Sequence, residues 1–197
     1  DVSILTAGSG GYEEPNQAPT ITAKQENFTV NEDETITLHG IAVDDPEGDT
    51  LVVTLKTENG VLFITEGAGV TIDLRASVGD GINGYTTLVL IGESSYLNAM
   101  LDSLTFRGDE NWNGRTMVEM RVIELDDAKA AMHRAAVQTF DITVNSVNDT
   151  PELSVENPRF SVNEDEPLSF MGEDGLPLFS LVDPDIGDVI TVTLKVS

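Results

Sequence analysis

The chain repeats itself at the length of a domain. "FTVNEDETITL" begins at Phe28 and "FSVNEDEPLSF" at Phe160, 132 residues later; "VDDPEGDTLVVTLK" ends at Lys56 and "LVDPDIGDVITVTLK" at Lys195, 139 residues later. The seven extra residues are absorbed by six near "GEDGLPL" and one at Ile186, both turn-rich places where insertions are tolerated. Such a period belongs to a tandem of domains. Residues 1–17 then read as the tail of a preceding repeat and a linker, 18–148 as a complete repeat, and 149–197 as the N-terminal part of the next. A sandwich that stops after its third strand exposes unpaired edges, so the chain is expected to be an internal piece of a longer array.

Inside the complete repeat the apolar period is two. Val118, Met120 and Val122 alternate with Met117, Glu119 and Arg121, and Phe140, Ile142 and Val144 with Thr139, Asp141 and Thr143. Strands are expected near 20–30, 35–43, 50–57, 61–74, 86–91 continued by 103–107, 115–124 and 136–145. "SYLNAMLDSL" at 95–104 is the one helical stretch, its Leu97, Met100, Leu101 and Leu104 assigned to the core. About seven short strands in some 130 residues predict an all-β fold, built of tandem immunoglobulin-like antiparallel β-sandwich repeats with the second incomplete.

Charge narrows the partners. Thirty-five Asp and Glu stand against ten Lys and Arg, a net charge of −25, which repels phosphate backbones and anionic headgroups. Neither nucleic acid nor direct membrane insertion is expected, and no apolar run approaches the ~20 residues of a membrane span. With no cysteine among 197 residues, any staple must come from oxygen ligands, which favours Ca2+.

Strand parity sorts the acidic clusters. Successive antiparallel strands alternate direction, so Glu32, Asp33 and Glu34 share one end of the sandwich, the base, with Asp109, Glu110 and the exit residues Asn148 and Asp149. Asp44, Asp45, Glu47, Asp49, Asp126 and Asp127 share the opposite end, the top. Because the strand count is odd, the base of one repeat faces the top of the next. Asp183, Asp185 and Asp188, equivalent to Asp45, Glu47 and Asp49, are therefore expected to approach Glu32, Asp109, Glu110 and Asp149. Unit charges 4 Å apart repel by about 1 kcal/mol in water, and a divalent ion taking 6–8 oxygens would relieve that conflict.

"VNEDE", "VDDPEGD", "LNAMLDSLTFRGDENWNG", "VIELDD" and "VNDTP" together resemble, in order and over nearly all of 18–149, the tandem cadherin-like repeats of large surface and adhesion proteins. The resemblance implies interdomain calcium held by Glu32, Asp109, Glu110, Asn148, Asp149, Asp183 and Asp185. At the upstream junction Asp45, Glu47, Asp126 and Asp127 take the same roles, and a weaker site is expected there because Gln17 stands where Asp149 stands downstream. It further implies a calcium-rigidified spacer at the cell surface or secreted, with neighbouring repeats as its first partners and surface glycans or other surface proteins as further ones.

The alternative is a carbohydrate- or protein-binding module using Trp112, Tyr85 and Tyr96, although "NWNG" reads as a turn with Trp112 plugging the base. An enzyme is not expected. His39 and His133 are the only histidines, there is no nucleophile elbow, and no pair of carboxylates is set apart from the rest.

Overall fold

The structure, a computed structural model, describes residues 16–125, 135–155, 161–171, 176–185, 189–193 and 195. It divides into two units, Asp1–Asn145 and Ser146–Ser197. The first contains twelve strands and one helix among its described residues: β1 (Thr20–Ala23), β2 (Asn27–Asn31), β3 (Thr35–Thr37), β4 (Ile41–Asp44), β5 (Leu51–Thr57), β6 (Gly60–Phe63), β7 (Val70–Ile72), β8 (Val78–Asp80), β9 (Gly84–Gly92), α1 (Ser94–Leu101), β10 (Thr105–Gly108), β11 (Gly114–Glu124) and β12 (Ala136–Asn145).

The strands form an immunoglobulin-like sandwich. The hydrogen-bonded order is continuous, β2-β12-β11-β5-β9-β6-β10-β3, with β7 and β8 also on β9 and β1 paired separately with β4; its thinnest joint, β9 to β6, divides a front layer ending at β9 from a back layer of β6-β10-β3. A single register pair, Leu62 with Tyr85, links the layers through β6 and β9. Alternation along each strand sends one face inward, so Val118, Met120, Phe140 and Ile142 of the front layer meet Leu62 and Phe106 of the back in one core. The helix α1 buries Leu97, Met100 and Leu101, at i, i+3 and i+4, into the same core. The core residues assigned from sequence to 95–104 are therefore buried, Leu104 included.

Four expected strands are divided. Segment 20–30 breaks at Lys24, sending β1 to β4 and β2 to a parallel pairing with β12. Segment 35–43 breaks at Gly40, whose φ of +79° a side chain resists and whose carbonyl accepts the Lys24 N–H at 2.9 Å. Segment 61–74 becomes β6 in the back layer and β7 in the front. Segments 86–91 and 103–107 are not one strand: β9 and β10 lie in opposite layers with α1 between them. The alternating pattern looks the same whichever layer a strand joins, so it carries no sign of these crossings. His39, expected in a strand, lies in the break between β3 and β4, edge-on to Phe28 with ring centroids 6.5 Å apart.

In the second unit β13 (Glu152–Val155) pairs antiparallel with β14 (Phe179–Val182). The register Glu152 to Val182 and Leu153 to Leu181 repeats that of Thr20 to Asp44 and Ile21 to Val43. The "NEDE" turns also coincide: Glu34 N–H donates to Asn31 O and Glu166 N–H to Asn163 O, with Asp33 and Asp165 at φ of +60° and +62°. The repeat is thus one of backbone conformation as well as of letters. Among the described residues no helix is long and apolar enough to cross a membrane.

Candidate metal centre

At the top of the first unit the loop after β4 is folded by one carboxylate oxygen. Asp45 Oδ1 accepts the N–H groups of Glu47 at 3.1 Å and Asp49 at 3.0 Å, while Gly48, at φ +74°, lets the chain turn back. That leaves Asp45 Oδ2, and the residue is only 5% exposed. Asp45 Oδ2, Asp49 Oδ2 and Asn16 Oδ1 are all buried without a hydrogen-bond partner.

The surrounding acids are held close by main-chain geometry. Leu125 N–H donates to Thr50 O at 2.8 Å, which sets Glu124, the last residue of β11, beside the Asp45–Asp49 loop. Asn16 Nδ2 donates to Glu124 Oε2. Gln17 donates from its main chain and its side-chain amide to the two Glu47 oxygens, each at 3.3 Å. The linker residues Asn16 and Gln17 are thereby tied to the strand ends.

A buried polar atom with no partner costs roughly 1–3 kcal/mol, more when charged, and Asn16, Asp45 and Asp49 each leave one such oxygen. Among the described residues the candidate ligands at this end are all oxygens, and an all-oxygen, acidic set suits Ca2+ better than the strict octahedron of Mg2+. Of the residues expected at this end, Asp45 and Glu47 share one loop, joined by the Glu47 N–H, while the exposed Glu47 carboxylate meets Gln17; Asp126 and Asp127 lie outside the described residues. Sequence reasoning missed Asn16 and Glu124, and placed Asp49 at this end without making it a ligand. Glu124 was available to the parity argument as the last residue of a strand ending at the top.

At the base, Glu32 closes β2 by donating its N–H to Asn145 O at 2.9 Å, and its buried carboxylate accepts Asn113 Nδ2 at 3.3 Å. Asp33 Oδ1 accepts the Asn111 N–H at 3.2 Å. Asp109 shapes the turn with its main chain, donating to Asn59 O and accepting from Trp112 N–H. Both Asp109 and Glu110 are exposed, and with Asp33, Asn83 and Arg107 they line a cleft of about 430 Å³. Trp112 is half-buried against the core, Tyr85 is buried, and the ring of Tyr96 covers the Gly69 backbone. His133 lies outside the described residues.

In the second unit Asp185 Oδ2 accepts the Asp149 N–H at 2.6 Å, and Asp183 Oδ1 accepts the Asp185 N–H at 3.1 Å. The Asp183–Asp185 contact copies that of Asp45 with Glu47. Asn148 is exposed and donates its side-chain amide to Asp149 O at 2.8 Å.

No family model matches the sequence, and no curated protein matches it. Solved structures similar to the chain include PapD-like domain 7 of human CEP192, at 9% identity over 75% of this chain and 99% of that one, with a TM-score of 0.35. A cohesin module from a Clostridium perfringens family 33 glycoside hydrolase is 6% identical over 67% and 98%, with a TM-score of 0.37. A chain of a type I cohesin–dockerin complex from Clostridium thermocellum is 8% identical over 68% and 99%, with a TM-score of 0.36.

Proposed function

We propose that the chain is a calcium-stiffened spacer from a tandem array of cadherin-like repeats, working outside the cell in surface extension and adhesion. The observation that carries this reading is the trio of unpartnered buried oxygens on Asn16, Asp45 and Asp49. Asn16 belongs to the linker and the two aspartates to the sandwich, so one ion touching all three joins linker to domain. Glu47 and Glu124 stand at the same end, where their carboxylates hold the linker residues Gln17 and Asn16. By the sequence resemblance, Glu32, Asp109, Glu110, Asn148, Asp149, Asp183 and Asp185 are the equivalent candidates downstream. No catalytic step forms part of this function.

The test is calorimetric titration of the chelator-treated chain with Ca2+, with Mg2+ as control. Saturable Ca2+ binding, at least tenfold tighter than Mg2+ and weakened at least tenfold by Asp45→Ala or Asp49→Ala, is expected. Bound ion stabilises by RT ln(1 + [L]/Kd), about 2.7 kcal/mol at a hundredfold excess over Kd, so the melting temperature should rise with Ca2+ only when these aspartates are intact. An unchanged melting temperature in the parent chain would refute the reading.

A further inference from the structure

The side chain of Asn16 has two polar ends, and Glu124 decides which of them is left for an ion. An ionised carboxylate accepts hydrogen bonds and gives none, so its bond to Asn16 uses the amide nitrogen, Nδ2, as the donor to Glu124 Oε2. The end left over is Oδ1, buried without a hydrogen-bond partner, as are Asp45 Oδ2 and Asp49 Oδ2. Glu124 is itself fixed by the main chain: it pairs with Leu51 as the last rung between β11 and β5, and Leu125 N–H donates to Thr50 O at 2.8 Å.

The next linker residue is gripped as well. Gln17 donates its N–H to Glu47 Oε2 and its side-chain Nε2 to Glu47 Oε1, each at 3.3 Å, so both oxygens of Glu47 are turned to the linker. Glu47 is held in turn through its own N–H on Asp45 Oδ1. Two residues further on Pro19 is buried, and its ring confines Ala18 to extended backbone, which lowers the entropy lost in ordering this strap. The second unit keeps only part of the grip. Asp149 stands where Gln17 does and donates its N–H to Asp185 Oδ2 at 2.6 Å, but its side chain, a carboxylate, has no proton to offer.

We infer that Glu124 and Glu47 are positioning residues: they seat Asn16 and Gln17 on the sandwich without an ion, and they present Asn16 Oδ1 to calcium without being ligands themselves. The inference rests on the calcium reading for the ion that gains from this order. A ligand group already held in place costs less to immobilise on binding. Asp45 and Asp49 are then the charged pair of the site, matching the charge of Ca2+. Gln17 is what sets this junction apart, because an amide bonds to Glu47 where a carboxylate at the same place is repelled.

The test begins in chelator, where NMR amide exchange reads the strap. Gln17 N–H should exchange about tenfold more slowly than in an unstructured peptide, and Glu47→Ala or Gln17→Asp should erase that protection while leaving β11 protected. Calorimetric titration with Ca2+ reads the consequence. Glu124→Ala should weaken binding about fivefold, whereas Glu124→Gln, which keeps an acceptor for Asn16 Nδ2 and loses the charge, should stay within about twofold of the parent. Unstructured exchange at Gln17 in the parent would overturn the inference. So would a Glu124→Gln variant that loses as much affinity as Glu124→Ala, since Glu124 would then act on the ion through its charge. A parent that binds no Ca2+ yet keeps the Gln17 protection would refute the calcium reading and support the seating by Glu124 and Glu47.

Discussion

Asn98 stands beside β4 where another strand would be. From the flank of α1 its Oδ1 accepts the Val43 N–H at 2.8 Å and its Nδ2 donates to Val43 O at 2.9 Å. Val43 is 1% exposed, so Asn98→Ala strands two buried main-chain groups at once. Each such loss costs roughly 1–3 kcal/mol, and because Asn98 is itself only partly buried, water recovers some of it; about 3 kcal/mol is expected in total. For a unit of this size a kcal/mol moves the melting temperature by roughly 3–5 °C, giving a drop of about 10 °C. Asn98→Asp keeps an acceptor for the N–H but sets a carboxylate against Val43 O, and should lose at least as much. Scanning calorimetry of the parent and both variants in chelator reads this directly. If Asn98→Ala melts within about 2 °C of the parent, the Asn98 side chain is not what holds the free edge of β4.

Three further outcomes are expected. Asp80 accepts hydrogen bonds from the main chain and side chain of Asn83 and from the Ile82 N–H, which hold its carboxyl below the usual carboxylate range; the turn is thus stabilised above the ordinary carboxylate pKa and loses that support as pH falls through the depressed value, and Asn83→Ala should move the Asp80 midpoint upward in an NMR titration. Phe106→Ala, at a fully buried position in the back layer, should cost about 3–5 kcal/mol in urea unfolding with little change in m-value. Gly79 has φ of +119°, and a Cβ there would lie 2.2 Å from Gly84 O, so Gly79→Ala should abolish amide-exchange protection along β8 while leaving that of β11 intact.

The sequence carried the parts of the fold that depend on periodicity alone. Alternation marked the strands around Val118 and Phe140, and self-comparison found the repeat whose register recurs in β13 and β14. It did not carry the layer to which each strand belongs, because β9 and β10 bury side chains by the same rule on opposite sides of one core. The candidate site was legible in the same measure. Asp45 and Glu47 stand out because a short Asp-rich loop is visible as a string of letters. Glu124 and Asn16 meet across 108 positions of chain, and only strand direction could have joined them. Asn98 sat unnoticed inside a helix read for its leucines, since the unpaired edge it covers exists only once β4 is placed.

The parallel pairing of β2 with β12 bears on how such a domain carries mechanical load. Five register pairs, from Asn27 with Asp141 to Asn31 with Asn145, join the opening part of the first unit to its closing strand. Two parallel strands pulled from opposite chain ends slide lengthwise past each other, so tension strains all their cross-links together instead of peeling them one by one. A repeat built this way resists extension by shear, and the element bearing the force is a ladder barely five residues long.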